Sequence, residues 1–198
     1  MLSIRNLSKN YGQQMVLPGL SIEFADSRTC IVGANGSGKT TLLFILAGLL
    51  KSDSGNVLWQ EKILANSKVM TSMTAIASDG ISIPGFLTVK KLLLLTESLW
   101  QVKIPEKLVL EFGLDAHFNK KVNQLSAGNL KKTQLVNAFM RNPEVLLLDE
   151  PNTSLDEHSC EVLWRAMREY PGSIIAASNE PALFTQAGFA IQDLTDDH

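Results

Sequence analysis

Cysteine is nearly absent: the 198 residues hold two, Cys30 and Cys160. They lie far apart and match no metal-ligand spacing. Two reduced core thiols are expected. Long apolar runs are missing too. The longest, Leu42 to Leu50, contains Gly48 and falls far short of the ~20 residues that a membrane-spanning helix needs. Neither sign of charge dominates, with Lys plus Arg at 18, Asp plus Glu at 20 and a net charge of −2. That balance leaves no basic footprint, and no nucleic-acid partner is expected. There is no internal repeat and no low-complexity tract. The opening Met-Leu-Ser-Ile-Arg-Asn has no basic-then-apolar leader pattern, so the chain is expected to stay in the cytoplasm.

What remains reads as one globular unit. The apolar share is 45% and the charged share 19%, ordinary for a folded domain and wrong for a disordered one. A chain of this length buries a core without disulfides or metal. Leu2 to Arg5 and Ser21 to Phe24 read as strands, with turns at Tyr11-Gly12 and Pro18-Gly19. Thr29 to Val32 is a short apolar strand stopped by Gly33, and a helix is expected over Lys39 to Leu49. Asn56 to Gln60 and Val69 to Ser78 read as further strands. From Thr88 to Phe112 the chain is rich in Leu and Lys and broken at Pro105, which fits two helices; a third fits Ser126 to Met140. Val145 to Leu148 and Ser173 to Ala177 read as strands buried on both faces, with a helix from about Asp156 to Glu169 between them. Strands and helices therefore alternate at both ends, around a helical stretch over roughly 85–140. The expected class is α/β with a mainly parallel sheet, an N-terminal antiparallel β subdomain and an inserted helical subdomain.

The segment Gly33-Ala34-Asn35-Gly36-Ser37-Gly38-Lys39-Thr40 matches G-x-x-x-x-G-K-[ST] at every fixed position. Its glycines let the backbone curl so that N–H groups converge on phosphate oxygens, and the following helix turns its positive end to the same place. Lys39 is placed to reach the β- and γ-phosphates and Thr40 to coordinate Mg²⁺. Nucleotide binding is expected at Gly33, Ala34, Asn35, Gly36, Ser37, Gly38, Lys39, Thr40 and Thr41. Val145 to Leu148 then runs into Asp149-Glu150. At the carboxyl end of a parallel strand beside the phosphate loop, Asp149 suits the Mg²⁺ shell and Glu150 suits the general base that activates water. ATP and Mg²⁺ are the expected cofactors.

Leu125-Ser126-Ala127-Gly128-Asn129 resembles the Leu-Ser-Gly-Gly-Gln signature of ATP-binding-cassette (ABC) ATPases, and it falls between phosphate loop and acidic strand as in that family. Glu150 to Asp156 is similar to the family's D-loop, and Tyr11 matches the aromatic that stacks on adenine. The resemblance covers nearly the whole chain. It implies a single ABC-type nucleotide-binding domain over 1–198, with the RecA-like core and β subdomain at about 1–84 and 141–198 and the helical subdomain at about 85–140. It implies an ATPase acting as a head-to-tail homodimer, or a pseudo-dimer with another ATPase subunit. Ser126, Ala127, Gly128 and Asn129 of one subunit would then face the ATP of the other, with Asp156 in the dimer D-loop.

Three positions depart from the family pattern. Counting back from Leu87-Thr88-Val89, the Q-loop glutamine falls on Asp79. The switch histidine falls on Asn179, and the signature ends in Asn129. Asn179 can donate an N–H to the γ-phosphate but exchanges no proton. A carboxylate about 4 Å from a phosphate charge is repelled by roughly 4 kcal/mol at an effective dielectric of 20, so Asp79 calls for compensation, by Mg²⁺ or by a water. Asp79 thus joins Thr40 and Asp149 as an expected metal ligand, and Asn179 joins Glu150 as an expected catalytic residue; hydrolysis is expected to persist at a reduced rate. The family resemblance implies a membrane-spanning transporter subunit as partner, met at Asp79 to Leu95 with Ile83, Pro84 and Phe86 exposed. It implies peripheral attachment to the inner face of the cell membrane. Short length, Gly55 to Trp59 and Leu-Ser-Ala-Gly are loosely similar to the haem-exporter ATPases of cytochrome c maturation. The alternative is a cytosolic nucleotide-dependent clamp or regulator with weak or no turnover.

Overall fold

The computed structural model describes residues 1–64 and 67–194. Two sheets share the work. Strands β1 (Leu2–Tyr11), β2 (Gln14–Phe24), β4 (Ser54–Trp59) and β5 (Lys62–Ile63) form an antiparallel sheet in the order β2-β1-β4-β5. Strands β3 (Arg28–Val32), β6 (Thr74–Ala77), β7 (Val145–Asp149), β8 (Ser173–Ala177) and β9 (Ala190–Asp193) form a parallel sheet in the order β6-β7-β8-β3-β9. Helices α1 (Lys39–Leu46), α2 (Ser67–Met73), α3 (Val89–Trp100), α4 (Glu106–Glu111), α5 (Ala127–Met140), α6 (Glu157–Glu169) and α7 (Pro181–Gln186) connect them.

The parallel strands show why an unbroken apolar run is needed. Side chains alternate between sheet faces, and both faces are covered. On β7, Leu146 and Leu148 join α3, α4, α5 and α6 residues in one core, while Val145 and Leu147 join α1 and the antiparallel sheet in the other. On β8, Ile174 and Ala176 face the first core, Ile175 and Ala177 the second. Thus one sheet divides the chain into two cores, and α3, α4 and α5 pack as a helical layer over one of them. Cys30 is buried on β3, its thiol pushed up to about 12 chiefly by burial, and Cys160 is half-buried on α6; both are free. Among the described residues no helix is long and apolar enough to cross a membrane.

Three elements differ from the sequence expectation. The first is the expected turn at Pro18-Gly19, which lies inside β2, with Pro18 opposite Ser8. β2 is an edge strand, where proline's missing N–H costs no ladder bond, and the register slips there at a bulge. Second, Val69 to Ser78 is not one strand. Its first part is helix α2, and only Thr74–Ala77 joins the sheet. Thr71, Ser72 and Thr74 hydroxyls donate back to the carbonyls of Ser67, Val69 and Met70, which satisfies them on the helix. Third, α7 and β9 follow the last strand expected from sequence, and β9 adds to the sheet beside β3.

Leu147 is fully buried in the second core. Leu147→Ala is expected to destabilise the fold by about 2–5 kcal/mol, read as a lower urea midpoint with unchanged m-value.

Candidate functional site

The strand order brings together segments far apart in sequence. β8 lies between β7 and β3, so the loops that leave the carboxyl ends of all three converge. From β3 comes the phosphate loop, from β7 Asp149-Glu150, from β8 Ser178-Asn179. A cavity of about 380 Å³ opens there, lined by Tyr11, Val16, Asn35, Gly36, Gly38, Lys39, Thr40, Thr41, Asp149, Glu150 and Asn179. Tyr11 is half exposed at its rim, with the Lys9 ammonium 5.9 Å from its ring centroid.

Gly38 caps α1 at φ +98, a left-handed conformation. A Cβ there would lie 2.7 Å from Leu17 Cδ2 and 2.9 Å from the Val16 carbonyl oxygen. The loop is therefore pressed against β2, and only glycine fits. Lys39 is buried and folds back over the loop. Its Nζ donates to the Gly33 carbonyl at 2.7 Å, the Ala34 carbonyl at 3.1 Å and Asn179 Oδ1 at 2.8 Å. The Asn179 amide donates in turn to Asn35 Oδ1 at 2.8 Å.

Thr40 Oγ1 donates to the Asp149 carboxylate at 3.0 and 3.2 Å, and the buried Ser78 hydroxyl donates to Asp149 Oδ2 at 2.7 Å. Two hydroxyls on one carboxylate are a hard-oxygen donor set, which fits Mg²⁺. Among the described residues no group of three or more His, Cys, Asp or Glu could hold a metal alone. Glu150 sits at φ +44, an unfavourable conformation for a non-glycine residue. Its N–H donates to the Ala177 carbonyl at 2.9 Å, and Ser178 Oγ donates to its Oε2 at 3.4 Å. Burial pushes the Glu150 carboxyl above the usual glutamate range; the Asn179 N–H and the Lys39 charge pull it back, and the Asp149 charge adds to the rise.

Asp79 is not brought to this pair. Its Oδ1 is ion-paired with Lys131 at 2.9 Å, and it does not line the cavity. The compensation that sequence reasoning sought in Mg²⁺ or a water is supplied by a lysine. Lys131 is 1% exposed, and its Nζ also reaches the carbonyls of Asp149 at 3.3 Å and Glu150 at 3.1 Å. Neither Lys131 nor Ser78 was singled out in the sequence. A signal for Lys131 existed: it lies four residues before Leu135, on the apolar row of its helix.

Ser126, Ala127, Gly128 and Asn129 lie outside the cavity lining. Ser126 caps α5 by accepting the Asn129 N–H at 3.3 Å. Gly128 lies so close to the loop after Glu150 that a Cβ would fall 2.6 Å from the Ser154 carbonyl oxygen. Asp156 caps α6: its Oδ1 accepts from the Ser159 N–H and hydroxyl at 2.8 Å, and Lys132 pairs with Oδ2 at 2.9 Å. The Lys132 bond, then the two from Ser159, hold its carboxyl well below the usual range. Ile83 is half-buried rather than exposed, whereas Pro84 and Phe86 are exposed.

The family described as ABC transporter matches residues 19–153. The chain belongs to the ABC transporter family. A hemin import ATP-binding protein, HrtA, of Staphylococcus aureus strain MRSA252 is 29% identical over 211 residues, covering 96% of this chain and 96% of the relative. Among solved structures, the dimeric ATP-binding cassette MJ0796 with ADP and Pi superposes with a TM-score of 0.82 at 20% identity, over 98% of this chain and 94% of that one. A bacterial Atm1-family ABC exporter with ATP bound superposes with a TM-score of 0.82 at 19% identity, over 98% of this chain and 37% of that one. These likenesses show the fold. As a member of the ABC transporter family, the chain is an ATP-binding ATPase subunit.

Two outcomes follow for this ABC subunit. Gly38→Ala is expected to weaken nucleotide binding at least tenfold, since the added methyl meets Leu17 and the φ is strained by roughly 1–2 kcal/mol; titration with a fluorescent ATP analogue measures it. Asp156→Ala is expected to lower stability by about 1 kcal/mol at neutral pH through loss of the cap. Because the folded-state pKa is lowered, this contribution is complete above the ordinary aspartate range and is lost as pH falls through the lowered value. Urea unfolding of both proteins at neutral and acid pH should therefore show the difference shrinking.

Proposed function

We propose that this chain hydrolyses ATP to power a membrane-spanning transporter subunit, with each ATP held between two cassettes arranged head to tail. The observation that carries the reading is the convergence of Lys39, the Thr40–Asp149 pair and Glu150 on one cavity in a chain of the ABC transporter family.

The residues divide the work. Tyr11, half exposed at the rim, offers its ring to adenine. The backbone from Gly33 to Thr41 encloses the phosphates at the N-terminus of α1. Lys39 exchanges two loop carbonyls and Asn179 for phosphate oxygens, which are better acceptors for an ammonium group. Thr40 and Asp149 would hold Mg²⁺, which when bound neutralises phosphate charge; Ser78 orients the Asp149 carboxylate. Glu150 takes the proton of the attacking water. Asn179, with Lys39 turned to phosphate, is free to donate its amide N–H to the γ-phosphate. It carries no ionisable proton, so it positions and does not relay.

In this reading the region over about 85–140 is a helical arm on the core of 1–84 and 141–198, and the start of its helix α5 carries the signature. Ser126 and Ala127 are exposed there, available to the ATP of a second cassette. The partner subunit in the membrane holds the protein on the inner face, against the exposed Pro84 and Phe86. Homologues named as transport ATP-binding proteins and solved dimeric cassettes support the arrangement.

Phosphate release from Mg-ATP by concentrated protein tests it. Glu150→Gln is expected to lose about 10²–10⁴ in rate while keeping nucleotide affinity, and to sediment as a dimer in ATP. Equal rates for the two proteins would overturn the base assignment. Tight ATP binding with no turnover by either, even with membranes added, would favour the clamp reading.

A further inference from the structure

Helix α5 is tied to the catalytic strand ends by side chains that the proposed mechanism does not use. Lys131 is fully buried, and its Nζ meets three acceptors: the Asp149 carbonyl at 3.3 Å, the Glu150 carbonyl at 3.1 Å and Asp79 Oδ1 at 2.9 Å. One turn on, Gln134 Nε2 donates to the Ser78 carbonyl at 3.0 Å, and Ser78 Oγ donates to Asp149 Oδ2 at 2.7 Å. Both links run from α5, whose first residues are the signature, to the ends of β6 and β7.

The Lys131 link is the unusual one. A buried ammonium is tolerated only where anions and dipoles surround it. The carbonyls it holds belong to the two peptide units on either side of the Glu150 Cα, which sits at φ +44, a conformation the surroundings must impose. Its carboxylate partner, Asp79, is largely exposed and starts the loop that runs out to Phe86. If Asp79 moves away, Lys131 keeps two carbonyls and loses its counter-charge. The position of an exposed loop residue is thereby linked to the backbone that aims Glu150.

We propose that Lys131 is a positioning residue that fixes Glu150 through its carbonyl, and that Asp79 is the counter-ion that makes this hold depend on the loop after β6. The proposal rests on Glu150 as the base. It gives Asp79 a function distinct from binding Mg²⁺: the carboxylate at this position serves the lysine beneath it.

The test compares Lys131→Met, Lys131→Arg, Asp79→Asn and the Lys131→Met/Asp79→Asn double variant in full-length protein. Lys131→Met is expected to lower kcat at least tenfold with KM for Mg-ATP within twofold, and Lys131→Arg to recover part of it. Asp79→Asn is expected to lower kcat at least threefold without changing the Mg²⁺ concentration for half-maximal rate. The double variant should be no slower than Lys131→Met, because both act on one interaction. Independently of turnover, hydrogen exchange over 149–154 should quicken in both single variants. Should Lys131→Met not fold, Asp79→Asn, at an exposed side chain, decides by the same readings. If Glu150→Gln is inactive while Lys131→Met and Asp79→Asn keep kcat within twofold, the proposal is overturned and the base reading stands. A Glu150→Gln protein as fast as wild type removes the base reading itself. A raised Mg²⁺ requirement in Asp79→Asn would return Asp79 to the metal and overturn its counter-ion role. Unchanged exchange in both variants overturns the proposal whether or not the chain turns over.

Discussion

The order β7-β8-β3 is the constraint on which the site depends. Neighbouring strands lie about 4.8 Å apart, so the ends of β3 and β7 are separated by roughly 10 Å with β8 between them. Thr40 reaches across that gap to Asp149, while Lys39 reaches Asn179 in the nearer loop after β8. Were β7 and β3 adjacent, the loops would collide; were they one strand further apart, a threonine would not reach. The ladder itself is held by apolar burial on both faces. Catalytic geometry is thus inherited from packing in two cores that contain no catalytic atom.

Around that frame the two buried lysines, Lys39 and Lys131, each have partners. Lys39 and Lys131 are both buried, one in the phosphate loop and one on α5. Lys39 is satisfied by carbonyls and a neutral amide, an arrangement that a phosphate can replace with gain. Lys131 is satisfied by carbonyls and Asp79, and nothing in the proposed reaction displaces them. The two lysines therefore differ in kind. The first waits for a ligand; the second is part of the support. Glu150 lies between these charges, raised by its burial and by Asp149, and restrained by Lys39 and the Asn179 N–H.

How much of this was legible in the sequence depended on whether the chemistry demands neighbours in the chain. The phosphate loop was legible because its N–H groups must come from successive residues. Asp149-Glu150 was legible because a doubly buried strand is a plain apolar run. The strand expected over Val69 to Ser78 failed at its start, where hydroxyls that look compatible with a strand are satisfied on helix α2 instead. The Pro18-Gly19 turn failed because edge position, which excuses a proline, is a property of the sheet and not of the segment. Counting put the Q-loop position at Asp79, yet its partner Lys131 is 52 residues away in sequence (131 − 79) and invisible to counting. Pairings between elements are what local pattern leaves open.

The signature segment follows from the same separation of roles. Ser126 and Ala127 are exposed at the start of α5, while Lys131 and Gln134 behind them are buried and bound to the strand ends. Gly128 touches the loop that leads from Glu150 to Asp156, at a distance no side chain could share. Within one subunit, then, Gly128 meets the loop that follows Glu150, while residues 126–129 lie outside the cavity lining. If a second cassette brings ATP to those residues, the contact reaches the first cassette's Glu150 through Gly128 and Lys131 alike.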